Sequence, residues 1–140
     1  MISYSLDFTH LHIYDPGLSG ITIPVILRFG TGAVLVGTKL DTGSTFCVFE
    51  REWGEELGID IESGTTKMIG TPIGAFRAYG HLVTLSVLEF DFEMVAYFAA
   101  DPSFNRNVLG RHGFLDRVQL GLVDYEGKMY LSRFGGNGGQ

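Results

Sequence analysis

The sequence lacks four features that would each place it in a particular class. It contains a single cysteine, Cys47, so an intrachain disulfide is excluded. No apolar run approaches the roughly 20 residues that span a bilayer, so we expect no membrane partner. Lysine and arginine are scattered and the net charge is -6, which argues against nucleic-acid binding. Residues 1–7 lack the basic and then apolar regions of a signal peptide, so we expect a cytoplasmic protein.

The composition is typical of a folded globular domain. Hydrophobic residues make up 45% of the chain and charged residues 19%, which separates it from disordered proteins. The 20 glycines are spread along the chain, as expected when many short strands need turns. We expect one domain over residues 1–134 and a flexible glycine-rich tail at 135–140. Cys47 lies in a strand pattern, so we interpret it as a small core residue and not as a nucleophile.

Strand patterns dominate the first half of the chain. Ile21 to Phe29 and residues 33–40 are β-rich and are separated by a short glycine-containing connection, which predicts a hairpin. Pro24 cannot donate a backbone hydrogen bond, so it favours an edge position. Residues 51–58 have apolar side chains at helical spacing and end in glycine, which predicts at most two helical turns.

The second half contains a longer hairpin. Thr65 to Val87 reads as two strands, and the tip between Gly70 and Gly74 has few side chains to pack, so we expect it to be mobile. Residues 114–118 form a short amphipathic stretch, and 118–134 predict a last hairpin. The chain therefore reads as all-β with one short helix near the C-terminus.

The segment Asp41-Thr42-Gly43-Ser44 places a carboxylate between two apolar strand-like segments. Burying a carboxylate costs several kcal/mol unless it is hydrogen-bonded or shares a proton. Gly43 allows a close approach of backbone, and the hydroxyls of Thr42 and Ser44 can donate hydrogen bonds. An Asp that ends a strand in an ordinary turn is the alternative interpretation, and an isolated Asp-Thr-Gly does not decide between the two.

Three segments in order resemble the retropepsin-like aspartic proteases, the half-size, dimeric relatives of the pepsins. Asp41-Thr42-Gly43-Ser44 is similar to the catalytic loop of that family. Lys67 to Phe76 resembles the family's flap, with one residue more at the tip. Val108-Leu109-Gly110-Arg111 resembles the hydrophobic-hydrophobic-Gly segment that crosses under the catalytic loop. The resemblance extends over about residues 21–123.

This resemblance implies a retropepsin-like half-barrel and aspartic endopeptidase activity, with Asp41 as general acid and base. Thr42 would hold two loops together, Gly43 would leave room for substrate, and Ser44 would bond the outer carboxylate oxygen. The chain has one Asp-Thr-Gly, so a symmetric homodimer would supply the second carboxylate. The implied substrate-binding residues are Phe46, Met68, Ile69, Gly70, Ile73 and Gly74.

The implied chemistry needs no cofactor and no metal. Two carboxylates a few Å apart share one proton, as in the known aspartic-protease dyad, and activate a water directly. The four histidines are scattered, and His10 and His12 have no third ligand nearby in sequence. The expected partners are a peptide or protein substrate and a second copy of the chain. Such standalone domains occur in bacteria and in retroelements, and we expect a cellular enzyme.

The sequence also departs from the retroviral pattern. Thr45 stands where an acidic residue pairs with the arginine of the Gly-Arg segment, so Arg111 needs another partner, for which Asp116 is a candidate. His112 stands where the family has Asp or Asn, and the C-terminal hairpin is additional. These departures support an alternative function, a peptide-binding or scaffolding module without useful turnover. A third interpretation is a β-barrel without protease activity in which Asp41 is structural.

Overall fold

Ten β-strands, one α-helix and three 3-10 turns make up residues 1–134, the part of the chain that the computed structural model describes. The predicted tail at 135–140 lies outside these residues. The strands are β1 His10–Ile13, β2 Ile21–Phe29, β3 Gly32–Leu40, β4 Val48–Phe49, β5 Thr65–Thr71, β6 Gly74–Val87, β7 Phe90–Ala99, β8 Val108–Leu109, β9 Val118–Val123 and β10 Lys128–Arg133. The helix α1 is Arg51–Glu56, and the 3-10 turns are Ile61–Ser63, Leu115–Arg117 and Asp124–Glu126.

The larger sheet has seven strands in the order β2-β3-β8-β4-β7-β6-β5. A further pairing of β2 with β6, at Ile26 to Arg28, closes this sheet on itself. Since successive side chains of a strand point to opposite faces, every second residue enters the enclosed space. On β2 these are Ile23, Val25 and Leu27, all buried. Other core residues include Val34, Val36, Phe49, Leu85, Phe92, Met94, Phe98, Leu109 and Phe114.

Both hairpins of the larger sheet follow the sequence pattern. β2 pairs with β3 in antiparallel register from Ile21 opposite Leu40 to Phe29 opposite Gly32. β5 pairs with β6 from Thr65 to Thr71, so the long hairpin is confirmed. Pro24 lies on the part of β2 that pairs with β3 alone, which satisfies the predicted edge position.

The smaller sheet contains the predicted C-terminal hairpin. β9 and β10 pair in antiparallel register, and β1 adds to the other edge of β10. Tyr14 follows β1, and its hydroxyl donates a 2.6 Å hydrogen bond to the Asp124 carboxylate. This bond, together with desolvation, raises the pKa of Tyr14 to about 12. The N-terminal segment is therefore tied to the C-terminal hairpin by both backbone and side-chain bonds.

The helical content is small, as the all-β class requires. α1 packs closely on the core because Gly54 has no side chain, and a Cβ there would lie 2.5 Å from Ile61 and 2.9 Å from Phe98. The short helix expected after Gly110 is the 3-10 turn Leu115–Arg117. Between residues 1 and 134 no helix is long and apolar enough to cross a membrane.

Candidate active site

Asp41 lies at the point where β3 ends. Its backbone N–H donates to the carbonyl of Leu109 at 2.9 Å, which extends the pairing of β3 with β8 by one residue. The carboxylate accepts a 2.9 Å hydrogen bond at Oδ1 from the N–H of Gly43. The N–H of Ser44 donates to the Asp41 carbonyl at 3.1 Å. These hydrogen bonds hold the loop in place, while the Asp41 side chain stays 37% exposed.

The segment after β8 passes directly against this loop. The N–H of Arg111 donates to the carbonyl of Ser44 at 2.9 Å. A Cβ at position 110 would lie 2.3 Å from the carbonyl oxygen of Phe46 and 2.6 Å from that of Ser44. Only glycine fits this approach, which is the physical reason for the hydrophobic-hydrophobic-Gly pattern. The crossing expected from the resemblance is confirmed.

Cys47 lies beneath the loop, and its side chain is fully buried. Its sulfur accepts a hydrogen bond from the N–H of Gly110 at 3.3 Å. Burial raises the pKa of the Cys47 thiol to about 12, so the thiolate is not populated near neutral pH. The interpretation of Cys47 as a small core residue is confirmed.

A cavity of about 340 Å³ opens beside Asp41 and under the β5–β6 hairpin. Of the residues expected at the site, it brings together Asp41, Gly43, Ser44, Ile69 and Gly70. It is also lined by Thr71, Pro72 and Phe76 of the segment that resembles a flap, and by four residues that were not among the expected site residues, namely Val48, Phe104, Arg106 and Val108. We call this space the Asp41 cavity.

Phe46 does not line the Asp41 cavity in the single chain, and its expected role in a neighbouring apolar substrate pocket stays a prediction. Its ring packs edge-on against Tyr97 with the centroids 5.0 Å apart, and the ammonium of Lys67 lies 4.6 Å from its centroid. Phe46 lies two residues before β4, in an isolated parallel bridge to His112, and lines a different depression with Tyr97 and His112.

Three residues of the hairpin also lie outside the Asp41 cavity. Met68 is 57% exposed and Ile73 98% exposed, and Gly74 begins β6 beyond the tip. Side chains alternate along β5, so Ile69 faces the cavity and Met68 faces away from it. In one chain, these expected substrate contacts are not made around Asp41.

Two expected polar contacts differ in the structure. The hydroxyl of Ser44 donates to the carbonyl of Phe46 at 2.7 Å and not to the Asp41 carboxylate. Asp116 accepts from the N–H of Gly113 at 3.0 Å and lies 3.8 Å from Arg117, so Arg111 is not its ion-pair partner. Both differences arise because short local bonds within a turn satisfy these groups first.

Arg106 is the charged residue of the site that the sequence interpretation missed. Its Nη2 lies 3.8 Å from Oδ2 of Asp41, the carboxylate oxygen that Gly43 does not contact. Its position in the chain could have indicated this contact, because Arg106 comes two residues before β8, which pairs with the end of β3. The sequence of the polar loop 101–107 contains no motif that indicates a contact with Asp41.

Phe104 of the same loop stacks on Phe76 of β6, with the ring centroids 4.6 Å apart. This contact joins the hairpin to the loop across the Asp41 cavity. Thr42 is exposed at the surface beside Asp41. Within the described part of the chain, no group of three or more His, Cys, Asp or Glu side chains is placed to hold a metal ion.

The fold is that of a retroviral-type acid protease. Among solved structures, the EIAV protease complexed with the inhibitor HBY-793 matches with a TM-score of 0.55 and 18% sequence identity. The match covers 71% of this chain and 88% of that chain. At this identity the likeness shows the fold alone.

The family model of the aspartyl proteases matches residues 25–122, more than half of the chain. Comparison with curated proteins finds no match. The matched range contains the Asp41 loop, the β5–β6 hairpin and the β8 crossing. The chain therefore belongs to the retropepsin-like aspartyl protease family.

Proposed function

We propose that the protein is an aspartic endopeptidase that works as a symmetric homodimer. The observation that carries this proposal is the state of the Asp41 loop. Its backbone is fixed by hydrogen bonds, yet Thr42 and Gly43 are exposed and Asp41 is partly so. A second loop against this exposed face would bring two Asp41 carboxylates together on a two-fold axis.

In the proposed mechanism the two carboxylates hold one proton between them. The ionised carboxylate takes a proton from a water, and the water oxygen attacks the carbonyl carbon of the peptide. The protonated carboxylate gives its proton to the carbonyl oxygen. The tetrahedral intermediate then collapses: the carboxylate that took the water proton gives it to the nitrogen, the C–N bond breaks, and a hydroxyl proton of the intermediate returns to the other carboxylate. Water is consumed, and a carboxylic acid and an amine are formed.

The other residues of the site would bind and enclose the peptide. Gly43 leaves space beside the carboxylates, and we propose that Thr42 joins the two loops across the dimer axis. The β5–β6 hairpin would act as a flap, with Ile69 and Gly70 above the substrate backbone. Met68, Ile73 and Gly74 do not line this cavity, so we propose that they contact substrate or the second protomer only in the assembled dimer.

The direct test is Asp41→Asn. The amide is nearly the same size but cannot take the proton from water, so turnover of a peptide library should fall by about 100-fold or more. Circular dichroism and the thermal midpoint should match the wild type, because the side chain is partly exposed and Gly43 can still donate to the amide oxygen. Peptidase activity kept above about a hundredth of the wild-type rate would reject this role for Asp41.

A peptide-binding module without useful turnover is the second candidate. The observation that favours it is the guanidinium of Arg106, which lies 3.8 Å from Asp41 Oδ2 and places a positive charge beside the proposed catalytic carboxylate. For such a module, wild type and Asp41→Asn should bind peptides equally and neither should cleave them. Mass spectrometry of the library after incubation separates the two functions.

The proposed partners are a peptide or protein substrate and a second copy of this chain. The cytoplasmic location expected from the sequence stays a prediction. Fractionation of cells that produce the protein, followed by detection with an antibody, tests it.

A further inference from the structure

A second depression adjoins the Asp41 cavity. It has a volume of about 210 Å³ and is lined by Gly37, Lys39, Asn105, Arg106, Asn107 and Val108. Arg106 and Val108 line both spaces, so the two are neighbours. We call the second space the Lys39–Arg106 depression. It is smaller than the roughly 300–1,000 Å³ of a small-molecule site, which suits a single side chain.

The charges of this depression are of one sign. Lys39 and Arg106 are both cations, and the lining contains no Asp or Glu. The whole chain has a net charge of -6, so two cations together oppose the general trend of the protein. Both side chains are exposed, and exposed cations that line a concave surface attract a carboxylate and can hold it with charge-assisted hydrogen bonds.

Arg106 has donors to spare. At 3.8 Å its contact with Asp41 is longer than a hydrogen bond, and within residues 1–134 the guanidinium makes no hydrogen bond. The pair is partly solvent-exposed, so it contributes little to stability. An arginine fork can bind a carboxylate through two parallel N–H donors.

The backbone around the two cations is held in place. The N–H of Lys39 donates to the carbonyl of Asn107 at 2.9 Å. The Asn107 side chain exchanges two hydrogen bonds with Glu50, accepting from its N–H at 2.9 Å and donating to its carboxylate at 2.8 Å. The sheet register therefore places residue 39 beside residues 107 and 108, and Arg106 is next to them in the chain.

We propose that the Lys39–Arg106 depression binds an acidic side chain of the substrate, so that cleavage is favoured where Asp or Glu adjoins the scissile bond. This inference rests on the proposed function. The position follows from the shared residue, because Arg106 contacts both the Asp41 carboxylate and the depression. In a two-fold dimer each protomer supplies one such depression, so the preference applies on either side of the bond.

The test uses matched peptides that differ only in Glu, Gln or Leu at the two residues flanking the cleaved bond. The ratio of kcat/KM for the Glu peptide to that for the Gln peptide should be about tenfold or more in the wild type. This ratio should fall to near one in Arg106→Gln, and it should also be lower than the wild-type ratio in Lys39→Gln. Arg28→Gln removes the same charge but lies on β2 and lines neither space, so its ratio should equal that of the wild type.

Binding of the same peptides with the scissile amide reduced to CH₂–NH is measured in parallel by calorimetry. Equal kcat/KM for Glu and Gln peptides, or a preference that survives Arg106→Gln, would overturn the acidic subsite and leave the peptidase standing. Tighter binding of the reduced Glu peptide that depends on Arg106, with no cleavage of any peptide, would support the subsite and reject the peptidase. Neither cleavage nor selective binding would overturn both.

Discussion

Gly110 lies where two backbone segments are too close together to admit a side chain. The carbonyl oxygens of Phe46 and Ser44 would lie 2.3 Å and 2.6 Å from a Cβ at this position. Both oxygens belong to the backbone, so relief requires movement of the Asp41 loop itself. The packing at Gly110 therefore determines the geometry of the candidate site.

We expect Gly110→Ala to destabilise the protein by about 3 kcal/mol, the upper end of ordinary overpacking, because no flexible side chain can yield. Urea unfolding followed by tryptophan fluorescence measures this. The control is Gly37→Ala on β3, where nothing lies within 4 Å of the added Cβ. That variant should be neutral or stabilised by about 0.5–1 kcal/mol. Equal stability of the two variants would contradict the close crossing.

The difference between Asp41 and Arg106 shows what a sequence can predict at this scale. Asp41 is recognisable because its neighbours Thr42 and Gly43 are adjacent in the chain. Arg106 reaches the same carboxylate from 65 positions further along, through a loop whose path depends on the pairing of β8 with β3. A motif of adjacent residues can be recognised in a sequence, whereas a contact made through the tertiary structure cannot.

α1 is connected to the turn that follows it by a bidentate ion pair. Arg51 contacts the two carboxylate oxygens of Glu62 at 2.6 Å and 2.8 Å, and it also donates to the carbonyl of Ala100. The hydrogen bonds from Arg51 hold the pKa of Glu62 below its usual value of 4.5. The ion pair thus joins three segments at the surface beside the core.

Since the pKa of Glu62 is lower in the folded state, its contribution to stability is present above pH 4.5 and is lost as pH falls through the folded value. We expect Glu62→Gln to lower the thermal midpoint at pH 7, and this difference from wild type should shrink below pH 4.5. The control is Glu56→Gln, because Glu56 has no ion pair among residues 1–134 and should show no such pH dependence. A deficit that is constant from pH 3 to pH 7 would contradict the ion pair.

The β5–β6 hairpin covers the Asp41 cavity with little packing at its tip. Ile73 is almost fully exposed, while Phe76 near the base stacks on Phe104. Such a tip, together with the last pairs beside it at residues 70–71 and 74–75, exchanges its amide hydrogens readily, whereas the pairs nearer the base of the hairpin are protected.

If this hairpin is a flap, amides at 70–75 should exchange fast in the free protein and slow by about tenfold or more with a reduced-bond peptide bound. The turn between β2 and β3, at residues 30–31, is the internal control and should exchange at the same rate in both states. Hydrogen exchange read by mass spectrometry resolves these segments. Equal exchange at 70–75 in both states would remove the flap assignment.

Local patterns predicted the strands of these hairpins well, since β2, β3, β5 and β6 have period-two side chains and glycine turns. The short helix after Gly110 was less predictable. Its apolar residues Phe114 and Leu115 match an amphipathic helix, but the chain enters β9 at Val118 and leaves room for one 3-10 turn. The short connection between β8 and β9 therefore left no room for the longer helix that the local pattern indicated.

At the scale of the whole molecule, the pairing of β2 with β6 creates the enclosed core and leaves the Asp41 loop at one end of it. This closure joins residues about 60 positions apart and has no signature in either strand alone. The single domain expected for residues 1–134 stays a prediction, and it agrees with one core cluster that extends from Tyr14 to Leu131. The dimer is likewise proposed and would complete a site that one chain leaves half made.

Mixing of wild-type chains with Asp41→Asn chains tests the central claim most directly. At about one wild-type chain to three variant chains, a wild-type chain finds a wild-type partner about a quarter of the time. Peptidase activity per wild-type chain should therefore fall to about a quarter of its unmixed value after subunit exchange. Mixing with Arg28→Gln chains in the same proportion should leave activity per chain unchanged. Activity per wild-type chain that is unaffected by Asp41→Asn would contradict a dyad built from two copies of Asp41.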